Sequence, residues 1–173
     1  KINSLYGLLL HQPKNLLGDV GKKLIDALYK IKSNGLVKKI GISIYDCSEI
    51  DQVIDLFEID IVQAPLNIID RRIETSGWLS KLNRAKIEVH TRSTFLQGLL
   101  LMPIHKIPSK FNKWKVMWDR WFYELKKHNV NAAEVCLSYP LSLAEIDRVI
   151  VGVDNFNQLN DLIKISKYKP LKH

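Results

Sequence analysis

Five apolar runs in this sequence each end in polar groups that packing alone does not require. The ends carry His11-Gln12, Ser43, Gln63 with Asn67 a little further on, Arg92-Ser93, and Gly152 to Asn155. A neutral imidazole such as His11 at a strand end can donate a hydrogen bond to a developing alkoxide. A serine hydroxyl with a glutamine amide, as at Ser43 and Gln63, supplies both hydrogen-bond donors and acceptors. The planar guanidinium of Arg92 can stack on a flat ring and adds positive charge. Gly152, Asp154 and Asn155 open a predicted helix, where backbone N–H groups and the helix dipole favour phosphate. Five polar strand ends in succession point to a site at the C-terminal mouth of a parallel sheet.

The elements that must position these groups alternate in period. Strands are expected over residues 5–11, 37–43, 61–65, 87–92 and 149–153, the first almost wholly apolar, as a strand buried on both faces should be. Leu17, Leu24, Leu28 and Ile31 form the apolar stripe of a first helix that ends at Asn34-Gly35. Ser48 is the expected cap of a second, with Ile50, Val53, Ile54 and Phe57 on one face. A third helix is expected over about residues 74–86. After the fourth strand comes a long loop, then a helix carrying Trp114, Met117, Trp118, Trp121, Phe122 and Leu125, whose helical spacing makes them core residues. Another helix starts near Asn131 and is expected to break at Pro140; the last begins at Asn155 with Phe156, Leu159 and Ile163 turned inward. This alternation implies an α/β fold, five parallel βα units of a partial (β/α)8 barrel. With no linker or low-complexity stretch, residues 1–173 read as one domain. A dinucleotide-binding open sheet would place a glycine-rich turn after the first strand, but His11-Gln12-Pro13-Lys14-Asn15 follows Leu10.

At 173 residues the chain is shorter than a whole barrel, typically about 250. It opens on Lys1 and runs straight into an apolar strand, which fits neither a signal peptide nor a translation start and implies sequence upstream. No apolar run reaches membrane-spanning length, so no membrane partner is expected. Cys47 and Cys136 lack metal spacing, and a reduced, cytoplasmic compartment is the expectation. The net charge of +8 is spread over the polar faces of many helices, which reads as solvated surface, not a nucleic-acid footprint. His90, His105 and His128 show no metal-ligand spacing.

The strings LYGLLLHQP, NGLVKKIGIS, IVQAPLNIIDRR, HTRSTFLQGLL and VIVGVDNFNQL, in this order and spacing, resemble the second half of an aldo-keto reductase. The resemblance runs over nearly the whole chain, from the family's fourth strand to its eighth helix, and is closest to the branch reading RSxFLQGLL. It implies an oxidoreductase that reduces a small carbonyl substrate by hydride transfer, with NADP(H) as the family's cofactor and NAD(H) left open. By the same resemblance His11 falls on the histidine that hydrogen-bonds the substrate carbonyl. Ser43 and Gln63 fall on the positions that hold the nicotinamide carboxamide, although Ile44 stands where the family often has asparagine. Arg92 occupies the place where many relatives stack an aromatic ring on the nicotinamide. Ser93, Leu96 and Gly98 match the loop crossing the pyrophosphate, with Gly98 allowing close backbone approach. Gly152, Asp154 and Asn155 match the adenine-side phosphate turn, with Asp154 or Asn155 as the helix N-cap the alternative, and Gln158 and Asp161 match the adenosine half. Asn67 reads as a turn residue. Residues 153–163 contain no lysine or arginine, so nothing there reads a 2′-phosphate.

The family's proton-donating tyrosine, with its lysine and aspartate, belongs to the first three βα units, which this sequence does not contain. Tyr6, Tyr29, Tyr45, Tyr123, Tyr139 and Tyr168 do not match that motif. The chain alone is therefore expected to be catalytically deficient, and to function only if completed by the other half of a barrel. Its first and last strands would be unpaired edges, for which self-association into a homo-oligomer is the expected cover. The alternative is a non-catalytic half-barrel that binds nucleotide or acts as a scaffold.

Overall fold

The computed structural model describes residues 2–167; Tyr168 lies outside them. Five parallel strands form one sheet in sequence order: β1 (Leu5–Leu10), β2 (Val37–Ser43), β3 (Ile61–Pro65), β4 (Glu88–Arg92) and β5 (Arg148–Val149). The helices are α1 (Gly21–Ser33), α2 (Ser48–Val53), α3 (Arg72–Thr75), α4 (Trp78–Arg84), α5 (Lys115–His128), α6 (Ala132–Ser142) and α7 (Phe156–Lys167). The α/β alternation expected from the sequence is present. No helix of the described residues is long and apolar enough to cross a membrane.

Alternation along each strand sorts its residues between two faces. On β2, Ile40 and Ile42 are fully buried, and with Val62, Ala64 and Val89 they meet Leu28, Ile50, Val53, Leu79 and Leu82 of the helices. That helix-covered face is the core. The other face carries Lys39, Gly41 and Ser43 on β2, and Glu88, His90 and Arg92 on β4. Gly41 has no substitute here: a Cβ would sit 1.9 Å from the carbonyl oxygen of Ile61.

This second face is concave. Flat strands at roughly 4.8 Å spacing would hold β1 and β5 about 19 Å apart. Instead the Arg148 guanidinium of β5 lies 4.6 Å from the centre of the Tyr6 ring of β1. Tyr6 Oη donates to both carboxylate oxygens of Glu88 at 2.6 and 2.9 Å, Lys39 Nζ donates to the same carboxylate, and His90 Nε2 lies 3.1 Å from it. One carboxylate thus ties β1, β2 and β4 together and holds the sheet curled, as in part of a barrel.

Several sequence expectations are corrected at the edges. β1 is not buried on both faces: Leu5 and Tyr6 are exposed, because this strand has a neighbour on one side only. The last strand is two residues long; beyond it the Ile150 N–H donates to Thr91 O, and Ile150 and Val153 lie exposed, with no further strand among the described residues to pair them. The apolar face of α7 is not turned inward: Phe156 is 72% exposed, and Leu159 and Ile163 are exposed too. The helix expected over 74–86 is split into α3 and α4 at Gly77, whose φ is +79°. Cys47, not Ser48, stands at the N-cap of α2 and makes no side-chain cap bond; Ser48 is the first helical residue, its N–H and hydroxyl donating to Asp46 Oδ1 at 3.0 and 2.8 Å. Pro140 does not break α6, since it sits in the last turn, where one lost backbone bond is tolerable. Trp114 falls in a 3-10 turn and is exposed under the Lys113 ammonium, while Trp118 enters the core as expected.

Burial alone would push the Glu88 carboxyl up, but hydrogen bonds from Lys39, Tyr6 and His90 outweigh it and hold it at about 2. A carboxyl held lower in the folded chain than its ordinary 4.5 stabilises the fold above pH 4.5, and this stabilisation is lost as pH falls through about 2. At about 1.4 kcal/mol per pH unit the loss reaches ~3 kcal/mol. Urea denaturation between pH 6 and 2 is expected to show it. Glu88→Gln should be less stable at pH 6 and show a flatter acid limb, its Lys39 left without a counter-charge.

Candidate functional site

The ends of β2 and β3 bring Ser43 and Gln63 side by side in register, and Ser43 Oγ donates to Gln63 Oε1 at 3.1 Å. Ser43 is buried and Gln63 half-buried. Ser43 Oγ and Gln63 Oε1 are engaged with each other, so a ligand carboxamide would have to open or share this bond.

One strand further, Arg92 leaves the end of β4 opposite Pro65. Its Nη2 donates to the Ile44 carbonyl at 2.8 Å and its Nη1 to Ser93 Oγ at 3.2 Å. The guanidinium lies 4.5 Å above the centre of the Tyr45 ring. Tyr45 in turn reaches toward β1: its hydroxyl is 3.4 Å from His11 Nε2, and the two rings are 5.7 Å apart. His11 itself is exposed on the turn after β1 and stands away from the cleft described below.

After Arg92 the chain enters a loop of left-handed backbone, with φ of +61° at Ser93, +48° at Leu96, +56° at Gln97 and +82° at Gly98. Only glycine adopts that region freely; each other residue costs of order 1 kcal/mol or more and needs external support. Two supports are visible. Asn67, fully buried, donates from Nδ2 to the Ser93 carbonyl at 3.1 Å, while its Oδ1 accepts from the N–H groups of Ile69 and Asp70. The expected turn residue therefore braces the loop as well. Phe95 and Leu96 also pack into a second hydrophobic cluster with Leu99, Leu100, Trp118 and Cys136. There Trp121 Nε1 donates to Leu100 O and Trp118 Nε1 to Phe111 O, both at 3.3 Å. Burial pushes the Cys136 thiol up to about 12, so it serves as packing and not as a nucleophile.

Between this loop and the start of α7 lies a cleft of about 710 Å³. Its walls bring together Arg92, Ser93, Gly98, Gly152, Asp154, Gln158 and Asp161, residues from two well-separated stretches of the sequence. Leu96 and Asn155 do not line it. Asn155 accepts from the Gln158 N–H at 3.0 Å, the N-cap arrangement held open as its alternative, and Gln158 Oε1 accepts from the Asp154 N–H at 2.8 Å. His11, Ser43 and Gln63 stand outside the cleft, and His11 is linked to it through Tyr45 and Arg92. Sequence reasoning missed Tyr45, Thr94, Phe95 and Ile150. Tyr45 carried one usable signal, its place two residues past a polar strand end. Thr94 lines the cleft while its Oγ1 is buried without a hydrogen-bond partner, as is Arg92 Nε. Among the described residues no cluster of His, Cys, Asp or Glu can hold a metal ion.

A sequence profile described as the Aldo/keto reductase family matches residues 8–173. Among solved structures, the aldo-keto reductase AKR11C1 from Bacillus halodurans, in its holo form, is 20% identical with a TM-score of 0.72. That alignment covers 98% of this chain and 57% of the other, and the apo form matches equally, over 98% and 58%. The thermostable aldo-keto reductase Tm1743, solved with the inhibitor epalrestat, is 18% identical with a TM-score of 0.68, over 96% and 56%. The chain thus spans a little over half the length of these structures. A comparison with curated proteins finds no significant match.

The bracing of the strained loop by Asn67 is open to test. Asn67→Ala leaves the N–H groups of Ile69 and Asp70 and the Ser93 carbonyl without their partner, at an expected cost of about 1–3 kcal/mol. Hydrogen exchange over residues 93–101 should quicken more than over β2 and β3. Equal acceleration everywhere would show that Asn67 stabilises the fold as a whole and not this loop.

Proposed function

The chain belongs to the aldo/keto reductase family, and from that premise we propose that these residues form the cofactor-holding side of an NAD(P)(H)-dependent carbonyl reductase. The observation that carries the reading is the cleft, where seven residues named for the cofactor in the sequence line one cavity of about 710 Å³. The donor set fits an anionic, hydrogen-bonding ligand. Arg92 Nε and Thr94 Oγ1 are buried donors lacking an acceptor. Among the described residues, no carboxylate forms an ion pair with Arg92.

In this reading Ser43 and Gln63 hold the carboxamide, and Arg92 faces the nicotinamide ring and brings its positive charge near the pyrophosphate. Ser93, Leu96 and Gly98 pass the pyrophosphate along the strained loop. Gly152, Asp154 and Asn155 present the start of α7 to the adenine-side phosphate, and Gln158 and Asp161 contact the adenosine half. When bound, the reduced nicotinamide supplies a hydride to the carbonyl carbon of a small aldehyde or ketone. His11 donates a hydrogen bond to the carbonyl oxygen as charge develops there. NADP(H) is the cofactor the family favours, with NAD(H) as the competitor; no basic side chain in residues 153–163 selects between them. The unpaired thiols of Cys47 and Cys136 support a cytoplasmic setting.

The proton-donating set of the family has no counterpart among these residues, so the chain by itself is catalytically deficient, with acid–base help worth about 10²–10⁴-fold absent. A second reading, a nucleotide-binding half-barrel that self-associates, is favoured by the exposed strip of Ile150, Val153, Phe156, Leu159 and Ile163 beside the short β5.

Titration with NADPH and NADH, followed by nicotinamide fluorescence, is expected to saturate below millimolar cofactor while a generic aldehyde is not turned over. No binding at millimolar concentration of either would sink the cofactor reading, and steady turnover would sink the claim of deficiency. Sedimentation at tens of micromolar is expected to show dimers or larger species; a monodisperse monomer counts against self-association.

A further inference from the structure

Arg92 poses a question that the proposed cofactor reading leaves open. It is a half-buried cation at the rim of the cleft, without an acidic partner among the described residues, and a long side chain in that state needs something to hold its plane. Two features of one short segment do so. The Ile44 carbonyl takes Nη2 at 2.8 Å, and the next residue, Tyr45, lays its ring 4.5 Å beneath the guanidinium. The Tyr45 backbone is itself fixed, its N–H donating to Glu49 Oε2 at 2.7 Å in the first turn of α2. The face of a phenol ring carries negative potential and attracts a stacked guanidinium, which also pins its orientation. The far end of the same ring, its hydroxyl, points at His11 Nε2, 3.4 Å away.

From this geometry we propose that Tyr45 is a positioning residue: its ring is the platform that aims Arg92 at an anionic group in the cleft, and its hydroxyl sets the orientation of His11. The proposal rests on the cofactor reading only for the identity of that anion. It gives Tyr45 two separable jobs, one done by the ring and one by the hydroxyl. Tyr45 is 55% exposed, so substitutions there leave the core intact.

The test compares Tyr45→Phe, which keeps the ring, with Tyr45→Leu, which removes ring and hydroxyl together. In the free protein, the Arg92 Nε–H resonance is expected to be distinct and slow to exchange in the original chain and in Tyr45→Phe, and to be lost or broadened in Tyr45→Leu. The His11 ring resonances should move in both variants. With NADPH as the probe, Tyr45→Leu should weaken binding by about three- to fivefold, the scale of an exposed cation–π contact. Tyr45→Phe should rescue it, and the loss should vanish in an Arg92→Met background, where no cation remains to be aimed. The proposal is overturned if the Arg92 Nε–H signal is unchanged in Tyr45→Leu, or if the full loss of affinity persists beside Arg92→Met. If the original chain does not bind NADPH, the cofactor reading fails, and the Arg92 signal in the free protein still decides the role of Tyr45.

Discussion

The Glu88 carboxylate sits where β1, β2 and β4 converge, and the shape of the molecule follows from that meeting. Tyr6, Lys39 and His90 all spend hydrogen bonds on it, and Arg148 closes over the Tyr6 ring from the last strand. A sheet of five strands has no covalent reason to curl. The hydrophobic core lies on its convex, helix-covered face. Polar contacts across the concave face supply the missing constraint. Curvature then decides function, because only a curled sheet turns the C-terminal ends of its strands toward a common mouth.

At that mouth the chain departs from regular structure in a controlled way. The left-handed stretch from Leu96 to Gly98 is unfavourable in isolation, and it persists because buried groups on both sides over-determine it. Asn67 holds its start from the β3 side. The Trp118 and Trp121 indoles hold the helix behind it by hydrogen bonds to Phe111 and Leu100 carbonyls. The tryptophan-rich helix therefore earns its place in the site indirectly: its rings touch no ligand position, yet they fix the wall that a ligand would meet.

The edges tell a complementary story. Leu5, Ile150, Val153 and the apolar face of α7 have the composition of buried residues and lie exposed. Each adjoins an outer strand that has a neighbour on one side only. Together with a span of a little over half of the relatives it matches, this describes an arc of a barrel whose interior contacts are complete in the middle and open at both ends.

The strand-forming runs of VKKIGIS and IVQAP were legible residue by residue, because alternation and β-branching are local properties and these strands are flanked on both sides. Legible too were the order of the βα units and the polar strand ends, and seven of the cofactor positions named from the sequence do share one cleft. What failed were inferences that depend on neighbours far along the chain. An apolar strand such as LYGLLL reads as doubly buried whether or not a second partner exists, and the face of α7 reads as inward whether or not anything covers it. Tyr45 was invisible for the same reason: its meaning lies in Arg92, 47 positions later, and in His11, 34 positions earlier. The sequence by itself determined which segments are strands, in what order, and which polar groups stand at their ends, since those follow from local periodicity. Only the tertiary structure decided which of those ends meet, because the curl of the sheet is set by contacts between side chains as distant as Tyr6 and Glu88.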